Sequence, residues 1–268
     1  MKRRGYLVGV AGLSTAVAGC TTLFGDDESE RDVDPTTALN RVPNAAASDD
    51  RELSVTVDAP AALVGVDSYS LRESVDETVS GLEASRVDGR AMVSSYRLLV
   101  GSFDAADVTE RLDATREGTV GSFDRFVEDD GTTHAVDDGE AILRTVGQSD
   151  DIVSLESIVD ASGGSDRLIE RHSVAERLVG QVSTDAHVEV SLTPSNEEWR
   201  GSAVGYEVGS EESTATLAMV LTDTGRNLED ESVRDRLAFL FPGDLDTDDL
   251  ERDADLVTAR TPIPTDDI

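Results

Sequence analysis

The chain is almost without lysine, since its 23 basic residues are 22 arginines and Lys2. It also has one cysteine, Cys20, and aromatic residues make up only 4% of it. A single cysteine excludes an internal disulfide. A body without lysine excludes Schiff-base catalysis, a serine–lysine dyad and the lysine of a Walker P-loop. A Gly-x-Ser-x-Gly elbow is also missing, because the segment Gly201-Ser202-Ala203-Val204-Gly205 departs from it by one place.

Acidic residues dominate instead, and 56 Asp and Glu against 23 Lys and Arg give a formal net charge of −33. Nucleic-acid binding needs clustered Lys and Arg, so this charge excludes nucleic acid as a partner. It also disfavours electrostatic docking on an anionic bilayer. Leu, Ile, Val and Phe still make up about a quarter of the residues, above the roughly 20% below which disorder is expected. The composition therefore predicts a folded protein with a charged surface.

The balance of charged residues indicates the solvent. One lysine beside 34 aspartates resembles the composition of proteins from extreme halophiles. At molar salt the Debye length falls to about 3 Å, so the self-repulsion of such a surface is largely screened. A merely acidic protein is the alternative, but it does not explain the near absence of lysine.

The first twenty residues have the parts of an export signal. Lys2, Arg3 and Arg4 form a positive start, and an uncharged, largely apolar run of 14 residues follows, from Gly5 to Ala18. This run is shorter than the roughly 20 residues that span a bilayer, so it predicts a secretory signal rather than a transmembrane helix.

Two motifs refine this prediction. The run Arg3-Arg4-Gly5-Tyr6-Leu7 resembles a twin-arginine export signal, which exports folded proteins. The run Val17-Ala18-Gly19-Cys20 resembles a lipobox, which implies that Cys20 is linked to a glycerolipid. Two long lipid chains anchor a protein stably without a transmembrane helix. General secretion with an incidental cysteine is the alternative. Lipid attachment would exclude cysteine catalysis, because no free thiol would remain.

The domain boundaries follow from these signals. We predict a signal peptide over residues 1–19 and a lipid-anchored acidic linker over residues 20–50, extended by its charge and prolines. An α+β domain is predicted over residues 51–264, with an inner unit at 91–193, before a short tail at 265–268. Without residues 1–19 the net charge becomes −36, from 56 acidic and 20 basic residues, all of them arginine.

Hydrophobic periodicity predicts the elements of the body. Leu53, Val55 and Val57 alternate as in a strand, and a capping box at Ser70–Glu73 starts a helix. Ile152, Leu155 and Val159 mark a later helix, capped by Ser149 or Asp150 and ended by Gly163-Gly164. Further predicted strands and hairpins span residues 62–66, 91–103, 119–127, 135–146, 187–192, 204–208, 214–222 and 256–261. Further predicted helices follow Asp104, Ser173 and Glu229.

Residues 91–193 thus follow the order β-α-β-β-α-β, which matches the ferredoxin-like fold. The elements on either side repeat that order. We predict an α+β protein of two ferredoxin-like-type units, one inserted in the other, with a single α+β domain as the alternative. The segment from His134 to Leu192, with its hairpin at Asp138-Gly139 and its Gly163-Gly164 break, resembles haloarchaeal extracytoplasmic lipoproteins. Because that family has no assigned activity, the resemblance implies class and location only.

Candidate sites are few. His134, His172 and His187 are too far apart in sequence for a typical zinc motif. We predict three structural histidines, at a turn (His134), a helix surface (His172) and a strand face (His187). The alternative is that His187 and Glu189, which share one face of a predicted strand, join a site. Trp199 is expected in a loop, where it caps the core rather than stacking on a sugar.

The acidic run from Asp244 to Asp249 begins like a calcium loop. Asp249 stands where such a loop needs glycine, and Asp255 stands where it needs glutamate, so a solvated acidic loop is predicted, with a weak cation site as the alternative. Carboxylate pairs for glycoside hydrolysis carry no information in so acidic a chain.

The sequence therefore assigns no catalytic, metal or cofactor-binding residue. It predicts lipid attachment at Cys20 and an export signal at Arg3 and Arg4. These place the body on the outer face of the cell membrane, with the membrane as a partner through the lipid and a protein or small-molecule partner left open. We expect a non-enzymatic binding or envelope role. The alternatives are the solute-binding lipoprotein of an importer and a lipid-anchored hydrolase.

Overall fold

The computed structural model describes residues 36–47, 52–64, 82–93, 96–144, 153–182, 186–240 and 245–268. All of them belong to one compact unit, Val33–Ile268. The export signal, Cys20 and the helix predicted after Ser70 lie outside the described residues.

The described residues form one sheet of twelve strands. The strands are β1 Leu53–Asp58, β2 Val87–Val93, β3 Tyr96–Gly101, β4 Ala114–Val120, β5 Phe123–Glu128, β6 Thr133–Asp137, β7 Glu140–Arg144, β8 His187–Leu192, β9 Trp199–Glu207, β10 Glu212–Leu221, β11 Leu250–Asp253 and β12 Leu256–Pro264. Their order across the sheet is β11-β12-β10-β9-β8-β1-β2-β3-β7-β6-β5-β4. Every neighbouring pair is antiparallel. The first strand of the body therefore lies in the middle of the sheet.

Short helices connect and cover the strands. They are α1 Thr36–Leu39, α2 Pro60–Leu63, α3 Ala105–Thr109, α4 Leu155–Ser162, α5 Leu168–Arg171, α6 Ser173–Val179 and α7 Asp230–Ala238.

One face of the sheet, here called the first face, carries a continuous core. Alternate strand residues such as Val55, Val190 and Leu98 point to this face, because successive side chains of a strand alternate sides. Helices α1, α4, α5 and α6 pack on it with residues such as Leu39 and Ile158. The core crosses the middle of the sheet without a break, from β10 to β5.

The other face, the second face, carries two separate cores. The C-terminal core joins β9, β10 and β12 to α7, with Leu217 and Leu237 fully buried. The N-terminal core joins β2, β3, β6 and β7 to α3 through residues such as Leu99 and Val108. Polar side chains of the central strands lie between the two cores.

Several predicted elements are confirmed. Strand β1 matches the alternation of Leu53, Val55 and Val57, and α3 follows Asp104, which caps it in a box with Asp107. Helix α4 ends before Gly163 as expected, but the predicted cap is wrong: the Ser154 hydroxyl accepts the hydrogen bond from the Ser157 N–H.

Other boundaries are corrected. The single strands predicted over 91–103 and 119–127 are parts of two hairpins, β2–β3 and β4–β5. In the second hairpin the turn begins at Gly121, whose φ of 58° favours glycine. The strand predicted from Ala62 is also wrong at its start, since Pro60–Leu63 form helix α2.

The mixed α+β class is confirmed, but the two ferredoxin-like units are not. Strand β1 pairs with β2 on one side and with β8 on the other, so segments assigned to the inner and outer units share ladders. Strand β12 pairs with β10, whereas a ferredoxin-like outer unit would place it beside β1. The single sheet agrees with the alternative of one α+β domain.

Part of the linker predicted over residues 20–50 belongs to the folded body instead. Ala38, Leu39 and Val42 are buried in the first-face core, and the Asn44 N–H donates to the Asp166 carbonyl at 2.7 Å. Proline and small residues indicated an extended chain here, but the apolar residues of one helical turn pack against β2 and β3. Residues 36–47 are therefore part of the body.

Candidate functional site

A group of four ionisable side chains lies on the second face at the middle of the sheet. We call Asp58, Arg90, His187 and Glu189 the central polar cluster. Asp58 ends β1 and stands opposite Arg90 of β2 on one side and His187 of β8 on the other. Glu189 follows two residues after His187, so both project from the same face of β8.

The contacts run from the interior to the surface. The Arg90 Nη2 donates to Asp58 Oδ2, and His187 Nδ1 is hydrogen-bonded to Asp58 Oδ1. His187 Nε2 lies 3.5 Å from Glu189 Oε1. The side chains of Asp58 and Arg90 have no exposed surface, whereas that of Glu189 is 54% exposed. The cluster thus connects a fully buried ion pair to solvent through one imidazole.

The surroundings set the protonation states of the cluster. Burial alone would raise the pKa of Asp58, but the hydrogen bonds and charges of His187 and Arg90 hold this pKa below its ordinary value. Burial disfavours charged His187, yet the hydrogen bonds with Asp58 and Glu189 outweigh it and raise the pKa of His187 to about 9. At neutral pH the imidazole is therefore protonated and faces two carboxylates.

Tyr206 of β9 completes the environment of His187. The two rings lie 5.6 Å apart between centroids, at an interplanar angle of 50°. Burial, together with the charge of Glu189, raises the pKa of Tyr206 to about 12, so the phenol stays neutral through the range in which His187 titrates. Chemically, the arrangement holds a proton on His187 between two carboxylates and gives it up to solvent only at alkaline pH.

The structure confirms one juxtaposition that the sequence predicted and adds two residues that it missed. His187 and Glu189 do share a face and lie close together. The sequence does not point to Asp58 or Arg90, because their strands also carry other polar residues, such as Thr56 in β1 and Asp88 in β2. Their burial depends on the pairing of β1 with β2 and β8, which local patterns do not show.

The other two histidines have structural contacts. His134 lies in β6 rather than at a turn, is buried, and its Nε2 lies 2.8 Å from Glu128 Oε1. His172 precedes α6, where its Nδ1 accepts from the Ala175 N–H at 3.4 Å. Trp199 is not in a loop as expected but begins β9. It packs against the C-terminal core, as predicted for a residue that caps the core, and its ring lies 5.9 Å from the Arg236 guanidinium.

Two residues of the acidic run near residue 248 make hydrogen bonds within the run itself. Asp246 and Asp249 form a capping box around a short 3-10 turn, in which the Asp246 N–H donates to Asp249 Oδ2 at 3.1 Å. Across the part of the chain that the structure describes, no group of three or more His, Cys, Asp or Glu side chains is placed to hold a metal ion. Asp244 lies outside that part.

A cavity of about 720 Å³ lies beside the chain that leaves α6. It is lined by Gly180–Val182 and by polar residues of β9 to β12, including Glu207, Thr216 and Arg260. Arg260 Nη2 lies 3.0 Å from Glu207 Oε2, and both side chains are mostly exposed. The cavity is thus an open polar groove, in contrast to the closed central cluster.

None of the helices within the described ranges combines the length and hydropathy that crossing a membrane requires.

Comparison with known proteins shows the fold only. No protein-family model matches the chain, and no curated protein matches it. Its structure is similar to that of TP0453 in crystal form III, with a TM-score of 0.51 and 9% identity over 86% of this chain and 95% of that one. Crystal forms I and IV of TP0453 give TM-scores of 0.46 and 0.45, each at 9% identity, over 85% and 83% of this chain and 93% of the other in both cases. The likeness extends over most of both chains and describes a shared architecture.

Proposed function

We propose that this chain is a lipid-anchored protein on the outer face of the cell membrane of an extreme halophile, with a non-enzymatic binding or envelope role. The observation that carries the proposal is the order of the N-terminal signals. Paired arginines, a 14-residue uncharged run and small residues lead directly to Cys20, the single cysteine of the chain.

The described body begins a short distance in sequence after the predicted anchor at Cys20. Its described part starts with α1, whose Ala38 and Leu39 are buried in the first-face core. Residues 21–35 then remain as the tether between the lipid and the body. They are acidic and contain Asp26-Asp27-Glu28-Ser29-Glu30, which favours an extended spacer through self-repulsion.

The charges of the surface support the proposal that the protein works in a saline environment. Its arginines lie mainly beside carboxylates, as in the exposed pairs Arg116–Asp124 and Arg260–Glu207. Many carboxylates remain in excess of these pairs, given 56 acidic residues against 23 basic ones. In dilute buffer such an excess destabilises the compact state, and molar salt screens it.

Fractionation of cells that express the full chain tests the anchoring. We expect Cys20→Ser protein to leave the membrane fraction or to accumulate unprocessed, while the neighbouring Thr21→Ser variant stays on the membrane. Equal membrane retention of both variants in the processed form, after a high-salt wash, would contradict lipid attachment.

A second variant tests the proposed twin-arginine export route. Replacing Arg3 and Arg4 by lysine keeps the positive charge but removes the paired arginines, so precursor should accumulate inside the cell. Lys2→Arg keeps the pair and should export normally. Normal export of the double-lysine variant would remove the twin-arginine route while leaving the lipid anchor standing.

A further inference from the structure

The middle of the sheet joins two halves that are held differently on its two faces. Strand β1 lies between β8, which begins the half β8–β12, and β2, which begins the half β2–β7. On the first face the apolar core crosses this join. On the second face the C-terminal and N-terminal cores are separate clusters, and among the described residues the central polar cluster lies between them. A small apolar cluster of Leu63 and Ala186, from the segments that follow β1 and precede β8, also contributes to the join.

Asp58 connects both halves at that join. One of its carboxylate oxygens accepts from Arg90 of β2, and the other is hydrogen-bonded to His187 of β8. With His187 protonated, two cations face two carboxylates and the cluster is neutral. Without that proton one negative charge is left over, and the Nε2 lone pair of His187 faces Glu189 at 3.5 Å.

We propose that the central polar cluster is a pH-sensitive clamp: protonated His187 fastens β8 to β1, and loss of its proton loosens the half β8–β12 from the rest of the sheet. The neighbouring strands contribute Asp58, Arg90, Glu189 and Tyr206 as the titratable or charged groups that face His187.

The direction of the effect follows from the same contacts. The pKa of His187 in the folded protein, about 9, lies above its ordinary value of 6.5. The attraction that the added proton gives is therefore complete below the unfolded pKa of about 6.5 and is lost as the pH rises through about 9. The neutral imidazole can still donate its Nδ1–H to Asp58, so the contact of β8 with β1 is weakened rather than broken. Tyr206 ionises only above that range.

Hydrogen exchange of the full-length protein in molar KCl tests the clamp. Protection factors, corrected for the intrinsic exchange rate at each pH, are compared between the β1–β8 ladder and the β3–β7 ladder. From about pH 7 to about pH 10 we expect the β1–β8 ladder to lose protection by roughly 10- to 100-fold relative to β3–β7. A constant ratio of the two ladders across this range would overturn the proposal.

A matched pair of histidine variants assigns the effect. His187→Gln should give a low β1–β8 protection that no longer depends on pH. His134→Gln removes another buried histidine beside a carboxylate, Glu128, and should keep the pH dependence of the wild type. The opposite assignment, with His134 responsible, would also overturn the clamp.

Glu189→Gln provides a variant that folding failure does not threaten, because Glu189 is half exposed. It removes one of the two carboxylates that favour protonated His187. We expect the midpoint of the β1–β8 transition to move to lower pH, and an unmoved midpoint would contradict a role for the cluster.

Discussion

Two arginine–carboxylate contacts of the same sheet differ in almost everything except their chemistry. Arg90 and Asp58 face each other with side chains that are 0% exposed, whereas Arg260 and Glu207 face each other at 3.0 Å with side chains 67% and 55% exposed. The first contact joins two central strands, and the same Asp58 carboxylate is also hydrogen-bonded to His187. The second is formed by two residues that line the open groove.

The difference separates adaptation to the solvent from the integrity of the fold. An exposed ion pair gains little because water and salt screen both charges. A buried pair is screened far less, and removing one partner leaves the other charge desolvated. In so acidic a protein, an exposed carboxylate therefore carries little information about a site, while Asp58, the buried carboxylate among the described residues, marks where the fold depends on a particular charge.

Among the ion-pair substitutions, Asp58→Asn should cause the largest loss of unfolding free energy. The substitution keeps the shape but leaves Arg90 and protonated His187 buried without their carboxylate, so it should lower the free energy of unfolding by about 3–5 kcal/mol. Urea unfolding at constant molar KCl measures this loss. The loss should stay the same when the KCl concentration is changed, and a cost below about 1 kcal/mol would show that the cluster is not held as described.

Asp255 lies between the two extremes. Its carboxylate accepts two hydrogen bonds from Arg177 of α6, at 3.0 and 2.7 Å, and also contacts Arg226. Hydrogen bonding to Arg177 outweighs the effect of burial and lowers the pKa of Asp255 to about 2. We expect Asp255→Asn to cost about 1 kcal/mol, because the side chain is only partly shielded from solvent.

The acid limb of the stability curve checks this intermediate case. A carboxyl group whose pKa is lowered on folding stabilises the protein above its unfolded pKa of about 3.9, and that stabilisation is lost as the pH falls towards about 2. The difference in unfolding free energy between wild type and Asp255→Asn should therefore shrink over this interval. A difference that grows on acidification would contradict the assigned ion pair.

Glu207→Gln should have the smallest effect. Because the pair with Arg260 is exposed, its removal should change the free energy of unfolding by less than about 0.5 kcal/mol at molar KCl. Urea unfolding beside the Asp58→Asn variant makes the comparison direct. A loss as large as that of Asp58→Asn would remove the distinction between the two contacts.

Local patterns in the sequence predicted much of the fold. The alternation of Leu53, Val55 and Val57 specifies a strand with one buried face, and β1 has this form. Strand β8 and the shared face of His187 and Glu189 follow from the same period of two. The Gly163-Gly164 pair likewise marks the end of α4.

Long-range pairing could not be predicted in the same way. The contact of Asp58 with His187 joins residues 129 positions apart, and it depends on β8 pairing with β1 rather than with another strand. The order of short antiparallel elements is compatible with several sheets, so it favoured two ferredoxin-like units where the strands form one sheet. The composition of residues 36–47 predicts a linker, because their burial depends on contacts with β2 and β3 that a local pattern does not show.

The proposed lipid attachment at Cys20 is tested by the mass of the N-terminal peptide. Protein extracted from membranes is digested and analysed by mass spectrometry. We expect the chain to begin at Cys20, with the mass of that peptide increased by a lipid group. A peptide that begins at Met1, or an unmodified Cys20 in membrane-derived protein, would contradict it.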